Sequence, residues 1–252
     1  MHAAQSICDQ ILAGLVGAAI TGRALTAAEA TALRTAMLQD AKDAIFSGAL
    51  TIAEAVQALD RRQFTWSTVK LYYSVFYLMR STLALNGTCI VYSNKTPYTW
   101  TCSAGEMPKK RSGTTHKAAL DGFKTHLPNH VLISQTIGLD HPLDWLMARR
   151  EAANYKLLRF TEPDAPEHFK IVERFGTRRS VRDYIADQGH VFTFDPDHAM
   201  LSFPIAAMKE VLTTLSRVTG SGLASADSSF IARQCYDRTG PFPDFRTLLG
   251  VS

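Results

Sequence analysis

The spacing of hydrophobic positions describes a succession of helices interrupted by two extended runs. Residues 65–86, TWSTVKLYYSVFYLMRSTLALN, are apolar or aromatic at most positions, while Ser67, Lys70, Ser74 and Ser81 recur at three-, four- and seven-residue intervals. That spacing predicts a helix buried on most of its circumference, with its polar residues on one narrow face and Asn86-Gly87 as its left-handed end. A guanidinium at Arg80 inside such a helix needs a partner. Residues 142–160, PLDWLMARREAANYKLLRF, predict a second such helix. Pro142 suits a first turn, and no glycine or proline follows until Pro163. Its apolar residues suffice for a place in a bundle. Arg149, Arg150, Glu151, Asn154 and Tyr155 form a dense polar group on it, either a solvated stripe or the lining of a cleft.

The alanine-rich N-terminal third predicts helices over about 4–21, 27–47 and 52–60. Thr26-Ala27-Ala28-Glu29 and Thr51-Ile52-Ala53-Glu54 have capping-box spacing, and Gly22 and Gly48 act as punctuation. Residues 88–103 alternate β-branched and aromatic side chains around Ser93–Pro97, which predicts a hairpin. The basic run Lys109, Lys110, Arg111 is placed in the loop that follows. A helix over 115–127 carries His116, Leu120 and Phe123 at helical spacing and stops at Pro128. After a linker-like Thr161–Pro166 come a helix at 178–187 and a second hairpin, Val191–Phe194 with Met200–Phe203. Helices at 205–217 and 228–236 and an extended tail around Pro241 and Pro243 complete the chain. Arg174, Arg178, Arg179 and Arg182 are its densest basic cluster.

Composition narrows the function classes. The 252 residues are 46% hydrophobic and 20% charged with a net charge of +4, ordinary for a globular protein and compatible with a nucleic-acid partner. The four cysteines include no C-x-x-C pair and read as reduced thiols; Cys89, Cys102 and His116 fit no zinc spacing. Ile11–Ile20 is too short to span a bilayer, and no Lys or Arg precedes it as in a signal peptide, so a cytoplasmic protein is expected. Phosphate-loop, dinucleotide, nucleophile-elbow and zincin motifs are absent from the sequence.

The two principal helices together resemble the HEPN superfamily. KLYYSVFYLMRSTLALNG (Lys70–Gly87) is similar to its aromatic helix, and RREAANY is similar to its later Arg-x4–6-His motif in the form where tyrosine replaces histidine, with Arg150 and Tyr155 as the pair. THKAALDGF (Thr115–Phe123) resembles the histidine-bearing helix between them. The resemblance spans roughly residues 60–160. It implies a helical bundle with the polar motif in a cleft, commonly at a two-fold dimer interface. It also implies a metal-independent ribonuclease of a defence, toxin–antitoxin or RNA-processing setting, without a cofactor. On that resemblance Arg150 binds the scissile phosphate and Tyr155 handles the proton of the ribose 2′-hydroxyl, with Asn154 and Arg149 as neighbours. His116 is an accessory candidate. Lys109, Lys110, Arg111, Arg178, Arg179 and Arg182 are candidates for RNA contact.

Two readings stay open at this point. Arg150 and Tyr155 can instead make structural hydrogen bonds within the bundle, with Glu151 pairing a cation. A non-catalytic subunit binding RNA, a nucleotide or a partner protein, such as an antitoxin or a larger defence enzyme, would carry the same motifs. The expected architecture is mainly α: an N-terminal helical extension (1–60), a HEPN-like bundle with a hairpin insertion (61–160) and a C-terminal helical appendage with a short hairpin (161–252). The expected partners are RNA, a second copy of the chain or a partner protein, and no membrane.

Overall fold

A computed structural model describes residues 2–156 and 158–251. The chain is mainly helical with a small antiparallel hairpin, and it divides into two compact units. One comprises residues 1–44 and 79–128, the other residues 45–78 and 129–252.

The first unit holds helices α1 (Ala3–Ile11) and α2 (Ala18–Thr21), the start of α3 (Ala27–Asp60), the end of α4 (Phe64–Leu85), strands β1 (Thr88–Ser93), β2 (Thr96–Thr101) and β3 (Lys109–Lys110), and α5 (Thr115–His126). The predicted first helix is split, because Gly14 and Gly17 adopt positive φ between α1 and α2. Asp40 accepts the first amides of α1, Ala3 N at 2.7 Å and Ala4 N at 2.9 Å, setting a carboxylate against the positive end of the helix. The Thr26–Glu29 capping box forms as predicted: Glu29 N donates to Thr26 Oγ1 at 3.2 Å and Thr26 N to Glu29 Oε2 at 2.8 Å.

β1 and β2 pair antiparallel from Thr88↔Thr101 to Ser93↔Thr96. Asn94 and Lys95, both at positive φ, make the two-residue turn that suits strand twist. The basic run is not a loop, since Lys109 and Lys110 pair with β2 as the outer strand and expose two lysines on that edge. Gln5 closes the opposite edge, donating to Tyr92 O and accepting from Tyr92 N, each at 2.8 Å.

The second unit holds the rest of α3, the start of α4, α6 (Pro142–Glu151) with a π-helical turn (Ala152–Lys156), α7 (Lys170–Phe175), α8 (Thr177–Ala186), α9 (Ala199–Thr219), α10 (Ser225–Gln234), the two-residue strands β4 (Tyr236–Asp237) and β5 (Gly240–Pro241), and α11 (Pro243–Leu248). The predicted hairpin at 191–203 does not form. Asp187 accepts the amides of Gly189, Val191 and Phe192 and folds that segment into turns. Met200–Phe203 instead starts α9, whose Met200, Leu201 and Phe203 are fully buried. A short unbroken apolar run fits a strand and a buried helix equally well, and packing decides. Gly220 ends α9 in the left-handed conformation. The extended tail around Pro243 is instead α11, with Pro243 in its first turn.

Two corrections concern the helices that frame the site. α3 runs unbroken through Gly48, and the second capping box is absent because Thr51 Oγ1 bonds back to Ser47 O at 2.6 Å. The serines of α4 are its buried face, not its solvated one. Ser67, Ser74 and Ser81 are fully buried. Ser67 Oγ reaches Ala55 O at 3.2 Å and Ser81 Oγ reaches Ala41 O at 3.0 Å. A Cβ on Gly48 would lie 3.3 Å from Ser74 O. Steps of seven along α4 therefore meet steps of seven backwards along α3, small residue against small residue, with each hydroxyl satisfied by a nearby carbonyl. The least buried positions of α4 are then Trp66, Lys70, Tyr73, Tyr77 and Arg80, so Arg80 is only half-buried. That stripe is aromatic and cationic.

Candidate functional site

The α4 stripe meets the end of α6 at Arg150. Arg150 Nη2 donates to Tyr73 Oη at 3.1 Å, and the guanidinium carbon lies 5.6 Å from the ring centres of Tyr72 and Tyr73. On an ideal α-helix Tyr155, five residues on, would point about 140° away from Arg150. It does not, because the helix widens into a π turn over Ala152–Lys156, where i→i+5 hydrogen bonding stacks residues five apart. Tyr155 comes to 5.4 Å from the guanidinium carbon. One cation is thus enclosed by three phenol rings from two elements.

The electrostatics follow from this enclosure. Burial opposes the charge of Arg150, but the Tyr73 hydrogen bond and the neighbouring phenols outweigh it and raise its pKa, so it stays charged. Burial pushes the Tyr72 phenol up to about 12 against the pull of Arg150, so Tyr72 is neutral at physiological pH and meets the cation through its π face. Arg150 Nε is buried without an acceptor among the described residues. An unmet donor of this kind costs about 1–3 kcal/mol. Tyr155 is 73% exposed, so the assembly is open on that side.

The other candidates fall in separate places. Asn154 is half-buried within the π turn. Arg149 is exposed and covers the Trp145 ring at 4.8 Å. Trp145 meets His168 edge-on at 6.5 Å, and His168 Nε2 lies 3.1 Å from Thr68 Oγ1. Burial, helped by the Arg149 charge, pushes His168 down to about 4. The sequence offered no signal for His168, because it follows the linker in a 3-10 turn rather than sitting on a patterned helix.

Lys109, Lys110, Arg111 and His116 belong to the first unit, whereas Arg150 belongs to the second. Arg111 donates to Thr99 Oγ1 at 2.9 Å and contacts His126 Nε2 at 3.1 Å; His116 is half-buried in the first turn of α5. Arg178 grips Asp237, the carbonyls of Gly240 and Pro241, and the Phe242 ring. That bond set is structural, tying α8 to β4 and β5. Arg179 and Arg182 share Asp183.

Among the described residues no group of three or more His, Cys, Asp or Glu could hold a metal ion, and no helix is long and apolar enough to cross a membrane. Comparison with family models, curated proteins and solved structures finds no match.

Proposed function

We propose that the chain is a HEPN-like, metal-independent endoribonuclease-type effector of a bacterial defence or toxin–antitoxin system. Its reaction centre is the Arg150–Tyr155 pair. The single observation that carries this reading is the π turn, which brings a half-buried guanidinium and an exposed phenol together against the aromatic helix. Such turns recur at functional sites. In the proposed reaction the 2′-oxygen attacks the adjacent phosphorus, the bond to the 5′-oxygen breaks, and the products carry a 2′,3′-cyclic phosphate and a 5′-hydroxyl. Arg150 neutralises charge building on the non-bridging oxygens. Tyr155 handles the proton that passes from the 2′-hydroxyl as the 5′-oxygen leaves.

The test is incubation of the purified protein with tRNA and mRNA, followed by end-group analysis. Cyclic-phosphate ends are expected, with a fall of roughly 10²- to 10⁴-fold for Tyr155→Phe and at least as much for Arg150→Ala. Cleavage that persists in the double variant removes this pair from the mechanism.

A non-catalytic HEPN-like subunit, holding RNA or a partner protein within a larger complex, is the second reading. It is favoured by the acidities around α6: Tyr72 is pushed up and His168 down, both away from neutrality, where a proton-transfer group works best. Specific RNA binding without cleavage, lost in Arg150→Ala, would select it.

A further inference from the structure

We infer that Trp66 and Phe160 form a nucleobase-stacking subsite for single-stranded RNA, one step along α4 from the Arg150–Tyr155 pair. The inference rests on the proposal that this pair engages RNA phosphate. Trp66 starts the outward stripe of α4 and is 51% exposed. Tyr73, whose hydroxyl accepts the Arg150 hydrogen bond, lies seven residues on, about 10 Å along the helix axis. Phe160, 48% exposed, reaches the Trp66 indole with ring centres 6.1 Å apart and planes at 83°. In an edge-to-face pair, the ring that offers its edge keeps both of its own faces clear of the partner. With both rings about half exposed, we place the third ring on the face that this geometry leaves uncovered by the partner.

Charge identifies the occupant. Residues 142–162 carry four cations (Arg149, Arg150, Lys156, Arg159) against three acids, Asp144, Glu151 and Glu162, and Glu162 is taken up by Thr65 N and Oγ1, each at 2.7 Å. Lys156 and Arg159 are exposed, as are Tyr155 and Leu158 beside them. Lys70, on the stripe between Trp66 and Tyr73, pairs with Glu54 at 2.9 Å and adds no net charge. Exposed aromatic rings interleaved with cations that have no acidic partner among the described residues suit a polyanion with flat apolar faces, and unpaired nucleotides have both properties. A duplex keeps its base faces inside the stack and offers only phosphate. The apolar centre of a protein interface, by contrast, is depleted of charge.

The tryptophan content makes the subsite readable. Trp100 and Trp145 are buried, so Trp66 is the tryptophan that solvent and ligand reach. The experiment titrates the full-length protein with a labelled 2′-O-methyl oligonucleotide, which resists 2′-hydroxyl cleavage, as a single strand and annealed to its complement. Anisotropy gives affinity and tryptophan emission reports stacking. The single strand is expected to quench Trp66 emission. Trp66→Leu and Phe160→Leu are each expected to weaken it by roughly 5- to 150-fold, with Trp66→Phe restoring most of the affinity. The duplex should bind wild type and variants equally and leave the emission unchanged. The stacking inference is overturned if both leucine variants bind the single strand like wild type while Arg150→Ala loses it; phosphate engagement then survives alone. Absence of binding by any form overturns the RNA reading and this inference with it. Trp66 and Phe160 are both about half exposed, so their replacement should leave the far-UV spectrum and the unfolding midpoint intact.

Discussion

Replacing Gly48 and Gly122 by alanine, the same change in two helices, should shift stability in opposite directions. Alanine at a helix interior position is better than glycine by about 0.5–1 kcal/mol. At Gly122 in α5 the new Cβ would meet Thr99 Cγ2 at 3.4 Å and Leu83 Cδ1 at 3.7 Å, ordinary contact distances. The helix gain stands there, a methyl group is buried as well, and the variant should gain about 1 kcal/mol. At Gly48 in α3 the Cβ would lie 2.8 Å from both Leu78 Cγ and Cδ2 and 3.3 Å from the Ser74 carbonyl. Leu78 is fully enclosed and the carbonyl belongs to α4, so neither neighbour can swing aside. Overpacking of this kind costs about 1–3 kcal/mol. The clash outweighs the propensity, leaving Gly48→Ala roughly 1–2 kcal/mol less stable. Urea unfolding followed by far-UV circular dichroism measures both, with opposite midpoint shifts and unchanged slopes. A Gly48→Ala variant as stable as wild type would refute the claim that α3 and α4 are in contact at this point through small residues.

Two further predictions concern titratable groups. His168 is neutral in the folded protein down to about pH 4, whereas in the unfolded chain it titrates near 6.5. Between those values only the unfolded state takes the proton, so the stability contribution is complete above pH 6.5 and declines as pH falls toward 4, by roughly 3 kcal/mol in all. Urea midpoints at pH 7 and pH 5 should therefore differ more in wild type than in His168→Gln, and equal differences would remove His168 from the acid response. Cysteine labelling reports on the first unit and on α10. Cys8, Cys89 and Cys235 are buried and Cys102 half-buried, and burial raises the Cys102 thiol pKa. A thiol reagent should slowly modify one cysteine per native chain and all four after unfolding. Loss of the native phase in Cys102→Ser checks the assignment, and a native phase that survives in that variant contradicts it.

Hydrophobic periodicity located most of the helices, because long amphipathic runs and caps are local properties. Thr26–Glu29 and Pro142 act where the pattern put them. What it missed depended on a neighbour. Gly48 looked like punctuation because the chain does not state that Leu78 and Ser74 press on it. The α4 serines looked solvated because a hydroxyl bonded to a carbonyl can be buried, and the matching heptad of Ala41, Gly48 and Ala55 was the available clue. Met200–Phe203 is too short for its period to separate helix from strand. At the site, Arg150 and Tyr155 were legible as residue types. Their meeting was not, since it depends on a local change of helical pitch. The Trp66–Phe160 pair joins residues from a helix and a loop far apart in sequence, and no periodicity reports it.

The widened turn at Ala152–Lys156 has a consequence for how this segment tolerates changes in length. It contains one residue more than a regular helix needs to span the same rise. Excising Ala152 would let the coil close into ordinary pitch with the arginine and the phenol four positions apart, again on one face. Adding a residue there would rotate the phenol away from the cation. The pair should therefore survive a shortening of the chain that a reader of the unbroken helical pattern would expect to separate it.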